Sequence, residues 1–270
     1  MARSKQEWTK AKFERYMKEG RGKGSGKNYQ PWIKIQDFAS KGRVSRPPGW
    51  KTSREHHLFS DNEKRLFYLF EWSDKIIDIR EQFPLLDLDL AMNIATEMGY
   101  TYPMHNDTPW VFTTDFMLSV KQGKRIVDKA RTFKPVKELG KKSVAEKFEL
   151  EKRYYERQGI DWGIITEKDI PMNLVKNVEW VHSSYKLEAN AEMDVDELCE
   201  VANILKSKLQ ESDSTINRIT SALDQNMNLE TGTSLYLFKH LIANKKIIMD
   251  MQTSKISSSI SAKEIQRIIF

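Results

Sequence analysis

Cysteine occurs once, at Cys199, so the chain cannot form an internal disulfide or build a zinc site from thiolates. The residue is expected in a helix core. No apolar run approaches the ~20 residues of a membrane-spanning helix, so a membrane protein is not expected. The opening stretch MARSKQEWTKAKFERYMKEG is basic, contains acids and lacks an apolar segment, unlike a secretory signal, which points to the cytoplasm. Repeats are absent, and the only low-complexity patch is 20–27.

What is present is an ordinary globular balance, 39% apolar and 30% charged over 270 residues, enough for two domains. The net charge of +6 is uneven: residues 1–60 hold 15 of the 44 Lys and Arg but 5 of the 38 acids, a local +10 that leaves −4 elsewhere. Within that region KEGRGKGSGK (18–27), with Lys23 and Lys27, suits a polyanion, because each neutralised phosphate releases counterions. A solvated linker is the plainer reading. The segment 29–54, with paired prolines and a glycine, is expected to be irregular or an edge strand, and its basic and aromatic mix suits a DNA backbone.

SDNEKRLFYLFEWS carries an S-x-x-E cap at Ser60 and Glu63, predicting a helix over 61–72. DKIIDIREQFPLL reads as a strand, LAMNIATEMG as a helix stopped by Gly99, 110–134 as a hairpin, SVAEKFELEKRYYERQG as a helix capped at Ser143 and Glu146, and DWGIITE as a last strand. This predicts a mixed α/β domain over 1–170. From 171 to 270 the texture is amphipathic and helical, and a helix over 233–243 running into a strand at 247–251 has the order of a winged helix-turn-helix. Asn217, Arg218, Lys239 and His240 lie on its candidate recognition helices, although the near-neutral charge favours protein over DNA as the partner.

With a Gln122-Gly123 turn, Asp115 stands opposite Ala130, and Thr132 and Lys134 share its face. Phe112, Phe116, Leu118, Val120, Val127 and Phe133 line the other, core-facing side. An Asp115–Lys134 surface ion pair would be worth at most ~1 kcal/mol. Glu63, however, begins the buried stripe of its helix, and two carboxylates with a lysine are what a phosphodiesterase uses to hold magnesium, on oxygen ligands, beside a group that orients water. Arg80 and Gln82 alternate along DIREQ as DNA-backbone contacts or as an ordinary exposed strand face. His56-His57 reads as packing rather than a metal site, and Glu149 as a helix-surface or supporting acid.

HHLFSDNEKRLFYLFEWSDKIIDIREQFPLL (56–86), TTDF (113–116), FKP (133–135), FELEKRYYERQGIDWGIITEKDI (148–170) and NVEWV (177–181) together resemble TnsA-type endonuclease subunits of Tn-seven-type transposons. The resemblance implies a restriction-endonuclease-like core, a mixed sheet flanked by helices, followed by a mostly α, winged-helix-like C-terminal domain for partner and DNA binding. It places the active site on Glu63, Asp115 and Lys134. Thr132 stands where the family carries glutamine and the wider superfamily an acid, so metal binding rests on Glu63 and Asp115 with the Phe133 carbonyl as a further oxygen.

The resemblance further implies Mg²⁺, or Mn²⁺, with two ions per site, and cleavage of the 5′, non-transferred strands at transposon ends. It also implies an integrase-type transposase as partner, an ATP-dependent regulator docking on the C-terminal domain, and a bacterial, nucleoid-associated assembly. An inactive DNA-binding scaffold and a stand-alone restriction or repair nuclease are the alternatives.

Overall fold

The computed structural model describes residues 8–37, 42–189 and 193–270. Two compact units divide the chain, residues 1–170 and 171–270. The first comprises helix α1 (Lys10–Lys18), α2 (Asp61–Trp72), strand β1 (Ile76–Pro84), α3 (Leu88–Glu97), the short strands β2 (Met104–His105) and β3 (Thr108–Pro109), β4 (Thr113–Gln122), β5 (Arg125–Phe133), a single turn α4 (Val136–Leu139), α5 (Lys142–Glu156) and β6 (Asp161–Ile165).

A four-stranded sheet in the order β1-β4-β5-β6 forms its centre. The first three strands are antiparallel, and β6 runs parallel to β5, so the sheet is mixed. Helices cover both faces. Phe70 of α2 packs edge-on against Phe116 at 5.2 Å, while Met117 and Ala130 join Ile94 and Ala95 of α3 and Leu150 and Tyr155 of α5 in one core cluster. The expected one-sided core is therefore incomplete, since the face carrying Met117 and Ala130 is equally buried.

The hairpin turn is Gly123-Lys124, closed by Gln122 opposite Arg125. Gly123 has φ +60° and takes the first loop position, which a II′ turn reserves for glycine. The register is thus shifted by two residues from expectation, with Ala130 opposite Met117 rather than Asp115. The α5 cap differs too: the helix begins at Lys142, so Ser143 is already inside it.

The glycine-rich leader is ordered against the sheet. Arg21 is 5% exposed, its guanidinium bonded to Asp37 and to the Trp32 carbonyl, and the Tyr29 hydroxyl donates to the Glu81 carbonyl at 3.0 Å. Gly22, at φ +77°, lies where a Cβ would stand 2.3 Å from Pro84 Cγ. The linker reading therefore fails for 18–27, although Lys23 and Lys27 themselves are exposed.

The second unit comprises α6 (Met172–His182), α7 (Val195–Gln210), α8 (Ile216–Asn226), α9 (Thr233–Ala243), β7 (Ile247–Met249) and β8 (Ile265–Ile268). β7 and β8 form an antiparallel pair, and a bridge joins Thr215 to Ser261. No residue of α9 is exposed. Its outer side is roofed by α6 and the turn after it: Tyr236 Oη donates to Lys186 O at 2.6 Å, His240 Nδ1 lies 3.0 Å from Ser184 O, and the Lys239 ammonium stands 4.7 Å over Trp180. Lys239 and His240 therefore do not present an open recognition surface, because 180–186 covers it, whereas Asn217 and Arg218 on α8 are exposed. Cys199 is exposed rather than in a helix core. On α7, Leu198 and Val201 make the inward stripe, and the cysteine falls outside it. No helix among the described residues is long and apolar enough to cross a membrane.

Candidate active site

Glu63 sits in the first turn of α2, 9% exposed. Ser60 caps the helix by accepting the Glu63 N–H at 3.1 Å. The Ser60 hydroxyl donates back to Glu63 Oε1 at 2.9 Å, and the Phe59 N–H donates to Oε2 at 3.0 Å. The capping role thus fixes the carboxylate without exhausting its lone pairs.

Asp115 lies at the start of the regular β4–β5 ladder. Its Oδ2 accepts the Phe133 N–H at 2.7 Å, a side chain standing in for a ladder partner. Alternation breaks here. Thr114 reaches Glu151 of α5, yet Phe116 packs on α2, though both would share a face in a regular strand. Across β1, the register places Gln82 at the Asp115 level, between Glu81↔Phe116 and Phe83↔Thr114, and Gln82 has φ +49°. That left-handed kink turns its side chain toward the acids: Nε2 donates to Glu63 Oε2 at 3.4 Å, and Oε1 accepts from Thr113 at 3.2 Å.

Glu63 and Asp115 share one electrostatic neighbourhood. Burial pushes the Glu63 carboxyl up to about 7, and the Asp115 charge pushes in the same direction. Burial likewise raises Asp115, to about 6, against the opposing Lys147 ammonium, the Phe133 N–H and Lys134. Two carboxylates, each raised by lost hydration, offer hard oxygen donors of the kind a divalent cation takes. A third oxygen follows from the backbone. The Lys134 N–H donates to Ile165 O of β6 at 3.0 Å, and in a trans peptide the preceding carbonyl points the opposite way. The Phe133 carbonyl therefore faces the β4 side, where Asp115 lies. No cluster of three or more His, Cys, Asp or Glu suited to a metal occurs among the described residues, so remaining coordination would come from water and substrate.

Thr132 is 3% exposed and donates to Glu151 Oε2 at 2.9 Å. Glu151 is fully buried; Trp162 Nε1 also donates to Oε2, at 3.1 Å. Oε1 lies 3.1 Å from the Lys147 ammonium. Lys147 and Glu151 went unnoticed in the sequence, although Glu151 sits on the buried stripe of α5, three residues from Phe148 and Tyr154. Glu149, the acid singled out there, instead pairs with Arg153 at 2.7 Å and is 41% exposed. Lys134 stands 3.2 Å from Glu138 of α4.

The open strand face expected of Arg80 and Gln82 is not observed. Arg80 bonds Asp128 at 2.6 Å and Ser119 at 3.0 Å, and Gln82 is 7% exposed. His56 is a packing residue as expected, with an added task. It and Arg54 hold the fully buried Glu81, with His56 Nδ1 2.8 Å and Arg54 Nη2 2.6 Å from the same oxygen. Together they keep that carboxyl well below its usual range despite the opposing effect of burial.

Comparison with known proteins settles the family. Residues 73–167 match the TnsA-like endonuclease N-terminal model, and 169–251 match the TnsA endonuclease C-terminal model. The chain is 37% identical over 244 residues, 90% of its length, to the Transposon Tn7 transposition protein TnsA of Escherichia coli, covering 87% of that protein. The chain belongs to the TnsA endonuclease family. Asp115, Thr132, Lys134, Lys147 and Glu151 all fall within the TnsA-like N-terminal match, whereas Glu63 precedes its first residue, 73. The TnsA assignment makes this chain an endonuclease.

Proposed function

We propose that this TnsA-family endonuclease cuts the 5′, non-transferred strand at each transposon end during excision, using a divalent metal, Mg²⁺ or Mn²⁺, held by Glu63, Asp115 and the Phe133 carbonyl. The observation that carries this reading is the shared electrostatic neighbourhood of Glu63 and Asp115, residues from different elements that burial holds above the ordinary carboxylate range. Bound metal would supply Lewis-acid charge for phosphodiester hydrolysis, and two ions fit the family's resemblance to two-metal nucleases. The protein's own contribution is positional. Ser60, Phe59 and Gln82 fix Glu63, while Phe133 N–H fixes Asp115. Lys134 orients the attacking water or offsets charge on the phosphate, which requires its ammonium to leave Glu138.

DNA ends and an integrase-type transposase are the partners this reading requires, since TnsA is named as a transposition protein. The second unit, with α7 to α9 followed by the β7–β8 pair, supports a winged-helix-like arrangement. With α9 roofed, it serves protein docking, by an ATP-dependent regulator, better than base readout. The test is nicking of end-containing DNA with Mg²⁺, with and without the transposase. Cutting only with the partner supports the proposal, cutting alone makes the chain a stand-alone nuclease, and no cutting under either condition makes it a scaffold.

A further inference from the structure

The site contains a second lysine whose placement is not explained by metal binding. The Lys147 ammonium is 3.1 Å from Glu151 Oε1, and its side chain is one-third exposed where its partner is fully buried. The two form an ion pair on the buried Oε1, while Glu151 takes its neutral donors on the other oxygen. Lys147 also stands 5.8 Å over the Phe112 ring, which places it beside the strand carrying Asp115. It is the cation acting most strongly on Asp115, ahead of Lys134. Lys134, in contrast, is at salt-bridge distance from Glu138.

Charge balance sharpens the point. A site with Glu63, Asp115 and Glu151 carries three acids, and a metal held by the first two leaves the third to Lys147. If that were its whole task, full burial would serve best. Glu151 Oε2 accepts from Thr132 and Trp162. That oxygen anchors the acid, and the acid holds Lys147 near the strand end while the ammonium stays partly open to solvent.

We propose that Lys147, held by Glu151, is a second cation of the active site that contacts a DNA phosphate beside the one being cut. The inference rests on the nuclease reading of Glu63 and Asp115, and its test is independent of cutting. Binding of the full-length protein to a linear DNA duplex, without divalent metal, is measured from about 50 to about 200 mM salt. Each lost phosphate contact makes the slope of log affinity against log salt shallower by about 0.9.

Lys147→Gln should show that change, and Lys147→Arg should restore the wild-type slope. The double variant Lys147→Gln/Glu151→Gln removes the buried charge pair together and so guards against misfolding, which thermal melting reports separately. If Lys147 were merely the counterion of Glu151, the double variant would regain the wild-type slope; the proposal requires it to stay shallow. An unchanged slope in Lys147→Gln, or recovery in the double variant, overturns the proposal while leaving the nuclease assignment intact. Conversely, nicking by Asp115→Asn would overturn that assignment without altering the slope. Absence of wild-type binding even at the lowest salt overturns the Lys147 proposal and leaves the nuclease assignment to the nicking experiment with the partner.

Discussion

At the scale of single residues, the acids of the site oppose folding when they ionise without a cation. Their folded-state values, about 7 for Glu63 and about 6 for Asp115, lie above the ordinary carboxylate range. Between the unfolded and folded values the native state binds more protons than the unfolded one, so stability falls as pH rises through that window. Metal-free protein should therefore melt at progressively lower temperature from about pH 5 to about pH 7.5, and Mg²⁺ should recover the loss at the upper end. Glu63→Gln and Asp115→Asn should each flatten the slope; Glu71, also raised by burial to about 7, leaves a remainder. A slope unchanged in both variants would refute this origin.

Thr132 makes a separate prediction. Its hydroxyl donates to a buried carboxylate, so Thr132→Val should cost about 1–3 kcal/mol, read as a lower denaturant midpoint. Stability unchanged within error would show that the hydroxyl is idle.

Elements explain which parts of this were legible. Strong local signals survived: the Ser60 cap, the Gly99 stop and the helical stripes from 171 onward all name their elements. The hairpin was visible, but its register depended on which residue took the positive φ, and Gly123 rather than Gln122 opens the loop. Face alternation failed at Asp115 because β1 kinks at Gln82, a non-glycine in the left-handed region that no composition signal marks. Glu151 was missed for a related reason. A glutamate among charged neighbours on α5 resembles a solvent-face residue, and only its three- and four-residue spacing from Phe148, Tyr154 and Tyr155 placed it inward.

The leader was misread because four glycines suggest looseness, whereas positive φ values at Gly20, Gly22, Gly24 and Gly26 form a specific path against β1. Gly22→Ala combines a strained φ with a Cβ overlapping the Pro84 ring, and should cost more than about 1 kcal/mol. A melting temperature equal to wild type would show that the leader does not hold this path in solution.

For the whole molecule, the proposed catalytic and docking roles divide along the chain. Residues 1–170 hold every candidate site residue and the +10 segment, while in 171–270 α9 is covered and α8 keeps Asn217 and Arg218 exposed. Lys239→Ala should therefore leave DNA affinity within about twofold of wild type, being a cation engaged with Trp180 rather than a phosphate contact. A loss matching that of a phosphate-contacting lysine, measured by the same salt titration, would mean that α9 is uncovered when DNA binds.

The central claim is that Glu63 and Asp115 converge on one cation. Diffraction from crystals grown with Mn²⁺, collected at a wavelength where manganese scatters anomalously, tests it directly. The account predicts an anomalous peak bonded to a carboxylate oxygen from each of Glu63 and Asp115, lost in Asp115→Asn. A peak elsewhere, or one that persists in that variant with unchanged strength, would contradict it.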